Sequence, residues 1–224
     1  MTSPNPTWKP GDKIDSPVRE MVAVEPSAVT SHDFYKLMIG SIIPRPIALV
    51  STLNKSGVGN LAPFSFFNGV SSNPPCLMIS VSNRGPGQQK DTLRNILETG
   101  EFVVNTCSEW FAEAMVFTAG EFPYGVDEMQ KVGLTAVPSQ KVKPPRVKES
   151  PVHFECSLLK SIEIGECSEG STTVVFGKIL LAHIYSEAYQ AGRVIAEKLK
   201  PISRLGGFGY STLGTVFNLQ PPKV

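Results

Sequence analysis

Three short segments carry side chains suited to holding a phosphorylated, planar ligand. The first is Arg45 with Ser51-Thr52 shortly downstream. A guanidinium and two hydroxyls are natural donors to a phosphate, although a surface arginine and strand-end hydroxyls also occur for no such reason. The second is Lys90-Asp91-Thr92 at the start of an expected helix. Backbone N–H groups point outward there, the helix end favours an anion, and Lys90 adds charge. The plainer alternative is an Asp-capped helix beside a solvated lysine. Asp91 has the wrong sign for a phosphate neighbour, so it must point elsewhere or meet a neutral part of a ligand. The third segment is Asn60-Leu61-Ala62-Pro63-Phe64-Ser65-Phe66-Phe67-Asn68. An irregular backbone here would present N–H and C=O groups beside flat apolar side chains, a match for the edge and face of a heteroaromatic ring. An aromatic core segment is the competing explanation.

Other chemistries lack their residues. No serine sits in a GxSxG elbow, and the acidic residues are scattered with no carboxylate pair. His32, His153 and His183 are dispersed, with neither HxxxH nor HxH spacing, which argues against a metal site. Cys76, Cys107, Cys156 and Cys167 form no CxxC pair and lie in or beside apolar segments, so reduced, buried thiols in a cytoplasmic protein are expected. The glycine run Gly206–Gly209 follows no convincing strand and opens no helix, which makes it a poor dinucleotide fingerprint. If the chain is an enzyme, a cofactor carries the reaction.

The elements that must position these residues are mostly strands. Asp33–Ile39 reads as a short helix stopped by Gly40. Ile47–Leu53 and Val58–Ala62 read as a hairpin, and Cys76–Ser82 as a further strand. Asp91 reads as the N-cap of a helix over Thr92–Glu98, ended by Gly100. Glu101–Cys107 is expected to be a strand, Ser108 to cap a helix over Glu109–Thr118, and Lys141–Lys148 to be an exposed connection. Val152–Ile164 and Thr172–Tyr185 read as a long hairpin, with Gly177 a candidate bend, because strands this long usually carry bulges. Strands do not alternate with long crossover helices, so a closed antiparallel barrel with helices outside fits better than a Rossmann sheet.

Composition supports this. The chain has 224 residues, a formal charge of +1, 41% hydrophobic and 18% charged residues. That excludes extensive disorder and offers no electrostatic case for nucleic acid or an acidic membrane. With 19 glycines and 19 prolines it is too rich in both for a helical bundle. No apolar run is long enough to span a membrane, and the N-terminus lacks the apolar core of a secretory signal. Residues 1–32 read as an extended arm and 33–224 as one domain.

In register, these pieces resemble the flavin reductase-like, FMN-binding split-barrel family, and its flavoredoxin-like subgroup in particular. The resemblance is carried by Gly40–Thr52, Asn60–Asn68, Pro74-Pro75, Lys90–Asn95, Glu101–Asn105, Pro144–Val147, and Leu205-Gly206-Gly207 with Tyr210. It runs from about residue 33 to 213. It implies a mainly β split barrel with peripheral helices, binding FMN non-covalently as a homodimer with the flavins near the subunit interface. Arg45, Ser51, Thr52, Lys90 and Thr92 match positions holding the phosphate and ribityl chain. Ala62, Pro63, Phe64, Ser65 and Phe66 match the segment lying along the ring, and Asp91 matches the family's aspartate in this motif. The implied reaction passes hydride from NAD(P)H to flavin, with a monooxygenase as one partner that would use the reduced flavin; a flavoredoxin-type electron carrier and a non-catalytic FMN-binding protein are alternatives. The wider group's Gly–X–His is not found before His183, so no catalytic residue is assigned.

Overall fold

The computed structural model describes residues 3–85, 87–165 and 170–222. Cys167 and the tip of the long hairpin lie outside the described residues. In chain order the elements are α1 (Ser31–Ser41), β1 (Arg45–Pro46), β2 (Ala48–Leu53), β3 (Gly59–Phe64), β4 (Phe67–Ser72), β5 (Pro75–Ser82), α2 (Asp91–Thr99) and β6 (Glu101–Thr106). There follow α3 (Ala112–Phe117), α4 (Glu128–Lys131), β7 (Ala136–Val137), β8 (Arg146–Val147), β9 (Val152–Ile164) and β10 (Thr172–Ile184). The chain ends with β11 (Tyr189–Gln190), β12 (Arg193–Val194), α5 (Ala196–Leu199), β13 (Ile202–Arg204) and β14 (Tyr210–Thr212). No helix among the described residues is long and apolar enough to cross a membrane.

Seven strands form one antiparallel sheet in the order β3-β2-β6-β9-β10-β5-β4. Its two edge strands, β3 and β4, are consecutive in sequence and joined only by Ser65-Phe66. The sheet must therefore curl until its edges approach, and the Phe66 carbonyl, just before β4, accepts the Ser80 N–H at 2.8 Å in continuation of the β4–β5 ladder. The expected mainly β architecture with helices outside is what is observed.

β2 explains how both sides of this sheet are covered. Ala48 and Val50 face one apolar cluster with Leu77, Ile79, Leu93, Ile96 and Phe102. Ile47 and Leu49 face a second with Leu61, Phe111, Met115 and Ile202. A strand buried on both faces reads as a continuous apolar run, as this one does. The long hairpin of β9 and β10 carries register shifts at Phe176/Gly177 and Ile179/Leu181. Gly177 sits at the first because a Cβ there would collide with the Phe102 ring. Gly100, with φ 73°, ends α2 as expected and returns its N–H to the Ile96 carbonyl.

Several local expectations change. Gly40 does not stop α1, which begins at Ser31, capped by Thr30, and runs to Ser41. The close approach requires glycine at the other end of the chain: a Cβ on Gly206 would lie 3.0 Å from the Gly40 Cα. Ser108 caps no helix; buried, it donates to the Leu199 carbonyl, and only a 3-10 turn precedes α3. The 141–148 connection is not wholly exposed. Val142 and Val147 are buried, and the Gln140 and Lys141 N–H groups bind the Glu155 carboxylate. Ala62–Phe64 is regular strand paired with β2, with Pro63 tolerated because β3 is an edge and needs no donor there. Only Ser65-Phe66 breaks the ladder.

Candidate functional site

The start of α2 faces β3 across a cavity of about 120 Å3. α2 forms because Leu93 and Ile96 bury one face against the sheet while Arg94 and Glu98 pair on the other. Its N-terminus is then aimed at β3. Lys90, not Asp91, occupies the N-cap position, with no side-chain cap. The first-turn N–H groups have no partner within the helix. Asp91, also in the cavity wall, pairs with Arg84 at 3.4 Å, which offsets its charge.

The Lys90 ammonium makes no hydrogen bond or salt bridge among the described residues; its neighbour is the Phe64 ring, at 5.9 Å. Burial, and secondarily the Arg84 charge, draw its pKa below the ordinary lysine value. A partly desolvated cation with no bonded counter-ion, and only the Glu121 charge to offset its burial, favours an anionic ligand. Beside it, a buried polar cluster sets the floor. Asn60 donates to the Thr92 and Thr52 hydroxyls at 2.9 and 3.3 Å, and Asn95 donates to Thr52 at 3.0 Å. Glu128 closes the wall: its carboxylate accepts the Leu61 N–H at 2.8 Å, satisfying the free edge of β3. Burial raises its pKa above the usual carboxyl value, against the pull of that N–H.

The cavity thus gathers Ala62, Pro63, Phe64, Lys90, Asp91 and Thr92. The remaining predicted residues lie elsewhere. Ser51 and Thr52 are buried inside β2, where Ser51 donates to the Pro145 carbonyl at 2.5 Å. They line a separate cavity of about 120 Å3 that shares Asn60 with the first. Phe66 packs near Tyr35, ring centroids 6.4 Å apart. Ser65 accepts from Arg45 Nε at 3.3 Å. Arg45 is itself buried, and its guanidinium also donates to the Ile39, Ile42 and Leu205 carbonyls at 2.5, 2.8 and 2.9 Å. Arg84, Asn60, Glu128 and the Thr118–Glu121 segment also line the Lys90 cavity without having been singled out from sequence. Arg84 sat in a polar loop with no periodicity, and only Asn60 lay within a segment already marked.

Residues 39–198 match the flavin reductase like domain. The chain belongs to that family. It is similar to nitrilotriacetate monooxygenase component B from Bacillus cereus, at 40% identity and TM-score 0.87 over 90% of this chain and 100% of that one. It is also similar to 2-nitrobenzoate 2-nitroreductase of Pseudomonas fluorescens, at 34% identity and TM-score 0.81 over 90% of this chain and 96% of that one. A Shewanella frigidimarina structure with a split barrel domain shares the fold at 21% identity and TM-score 0.77, covering 88% and 96% of the two chains. The flavin reductase-like chain is thus a split barrel with the Lys90 cavity beside its edge strand β3.

Proposed function

We propose that this family member binds FMN non-covalently in the Lys90 cavity, as a homodimer, and acts as an oxidoreductase passing hydride from NAD(P)H to flavin for a partner such as a monooxygenase. The observation that carries the reading is the unpaired Lys90 ammonium, set between the α2 N-terminus and Pro63-Phe64. These residues fit the group: Lys90, the first-turn N–H groups and the Thr92 hydroxyl suit its phosphate end, and Ala62–Phe64 suits its ring. A bound flavin supplies the hydride-accepting chemistry. The chain's part is to hold the anionic end, orient the ring along β3 and keep water from one face with Pro63 and Phe64. No side chain is assigned as an acid or base.

The homodimer is supported by size. A cavity of about 120 Å3 is small beside the ~300–1,000 Å3 usual for small-molecule sites, so a flavin ring needs a further covering surface. Ile42, Ile43 and Val70 present exposed apolar side chains that a second copy would bury. The supply of reduced flavin to a monooxygenase rests on the likeness to a monooxygenase component B.

The test is the visible spectrum of the FMN-loaded protein under anaerobic mixing with NADH or NADPH. Rapid bleaching by either is expected. Bleaching only by a reduced ferredoxin-like protein would replace this reading with the electron-carrier one. A colourless protein that takes up no added FMN would sink both.

A further inference from the structure

A cleft of about 790 Å3 opens between the 3-10 turn before α3, the start of β9, the end of β10 and α5, and shares no lining residue with the Lys90 cavity. Its floor is built from residues that sequence spacing scattered. His153 and His183 are 30 positions apart but are direct cross-strand partners, with rings 6.0 Å apart and nearly edge-on. His183 Nε2 lies 2.6 Å from Oε1 of Glu155, which is wholly buried. Burial alone would raise the Glu155 carboxyl, but the Gln140 and Lys141 N–H groups and the His183 ring outweigh it and hold it below the usual value. Glu155 is therefore an acceptor of the His183 Nε2 proton, and a neutral His183 in this arrangement keeps a lone pair on Nδ1.

His153 repeats the arrangement. Its Nε2 meets the Val147 carbonyl at 2.8 Å, so it too carries the proton on Nε2. Its Nδ1 is buried with no hydrogen-bond partner, an acceptor that a ligand donor or water must satisfy. The rim supplies different groups. Trp110 and Tyr185 are half-exposed aromatic rings, and the Trp110 indole is anchored by its N–H on the Glu149 carbonyl. Two of the rim acids are already engaged, Glu109 by Lys200 at 3.0 Å and Glu149 by the Thr135 N–H. The Lys148 ammonium has no hydrogen bond or salt bridge among the described residues.

Imidazole acceptors below, aromatic faces beside and an uncommitted cation at the rim describe one ligand chemistry. We propose that this cleft is a second binding site, for a planar aromatic carboxylate bearing a ring hydroxyl. The hydroxyl donates to the histidine floor, the ring packs between Trp110 and Tyr185, and the carboxylate meets Lys148. The site does not depend on whether the Lys90 cavity holds flavin.

The test is calorimetric titration of 4-hydroxybenzoate into full-length protein saturated with FMN, so that the first cavity is already blocked. Saturable binding with one ligand per chain is expected, about fivefold tighter than benzoate, as one hydrogen bond would give. Lys148→Ala should weaken it about tenfold, whereas Lys178→Ala, outside the cleft, should not. His183→Phe should erase the preference over benzoate. In a Trp8→Phe background Trp110 is the sole remaining tryptophan, and its emission should change with the same saturation curve. No saturable binding at millimolar ligand, equal affinity for the two acids, or equal effects of the two lysine substitutions would overturn the proposal. Lys148 is exposed, so its variant keeps the test decisive if His183→Phe fails to fold.

Discussion

Arg45 and Lys90 answer to the same description in the sequence, a cation near hydroxyls and suited to a phosphate, yet they hold opposite places in the fold. The Arg45 guanidinium is buried and donates to three carbonyls and a hydroxyl, tying the end of α1 to the 65–66 seam and to Leu205. The Lys90 ammonium is only partly covered and meets no acceptor among the described residues. Residue type does not separate a receptor from a clamp; what separates them is whether the donors are already committed. Arg45 is a fixture of the seam. Lys90 is the group proposed to receive an anion.

The largest effect expected from this contrast is on stability. Arg45→Ala leaves three carbonyls without their donor, and even partial rehydration costs about 3 kcal/mol or more in urea unfolding. Arg45→Lys should rescue little, because one ammonium cannot span the fork that the guanidinium fills. If Arg45→Ala instead left the unfolding midpoint in place and abolished FMN binding, the contrast would be reversed. Next in size is Lys90→Ala. FMN affinity should fall roughly 10- to 100-fold, riboflavin affinity should barely change, and stability should hold, since only a poorly solvated charge is removed. Equal losses for FMN and riboflavin would remove Lys90 from the phosphate end.

Titration sharpens the same point. The Lys90 pKa is lowered by burial in the free protein, and a bound phosphate would raise it again. FMN affinity is therefore full below the free-state value and declines as the pH climbs toward the bound-state value. That decline should start below the ordinary lysine value of about 10.4. Lys90→Arg should move it beyond the measurable range. A flat affinity profile for the unmodified protein up to that pH would show that the ammonium does not face the phosphate.

Much of this was legible from sequence where local rules dominate. The β2 run, the Gly100 stop and the bulge at Gly177 each follow from side-chain size or backbone freedom within a few residues. The α2 start was legible to within one residue, with Lys90 in place of Asp91 at the N-cap, whereas Ala62–Phe64 is regular strand where an irregular backbone was expected. What stayed hidden depends on long-range partners. Gly206 has no room for a side chain because Gly40, far back along the chain, packs against it. Arg45 reads in the sequence as a phosphate donor, with no sign that its guanidinium also reaches the Leu205 carbonyl, 160 positions away. His153, His183 and Glu155 looked scattered because only strand register brings them together, and no spacing rule spans a hairpin with two register shifts.

Glu128 supplies the smallest and most selective probe of the Lys90 side. It covers the free edge of β3 through the Leu61 N–H, a job that an amide oxygen does equally well. Glu128→Gln should therefore change stability at neutral pH by less than about 1 kcal/mol, whereas Glu128→Ala strands the N–H and costs about 1–3 kcal/mol. The carboxyl pKa is raised in the folded state, chiefly by burial. Its contribution is thus fully present below the unfolded glutamate value of about 4.3 and is lost as the pH rises through the folded value. Urea unfolding between pH 4 and 8 should show that loss in the parent protein and its absence in Glu128→Gln. The substitution also removes a negative charge from the wall of the cavity that Lys90 lines, so FMN affinity should rise a few-fold at neutral pH while riboflavin affinity stays level. An unchanged FMN affinity would mean that Glu128 is already neutral there, and the anion would then be held against Lys90 and the helix end alone.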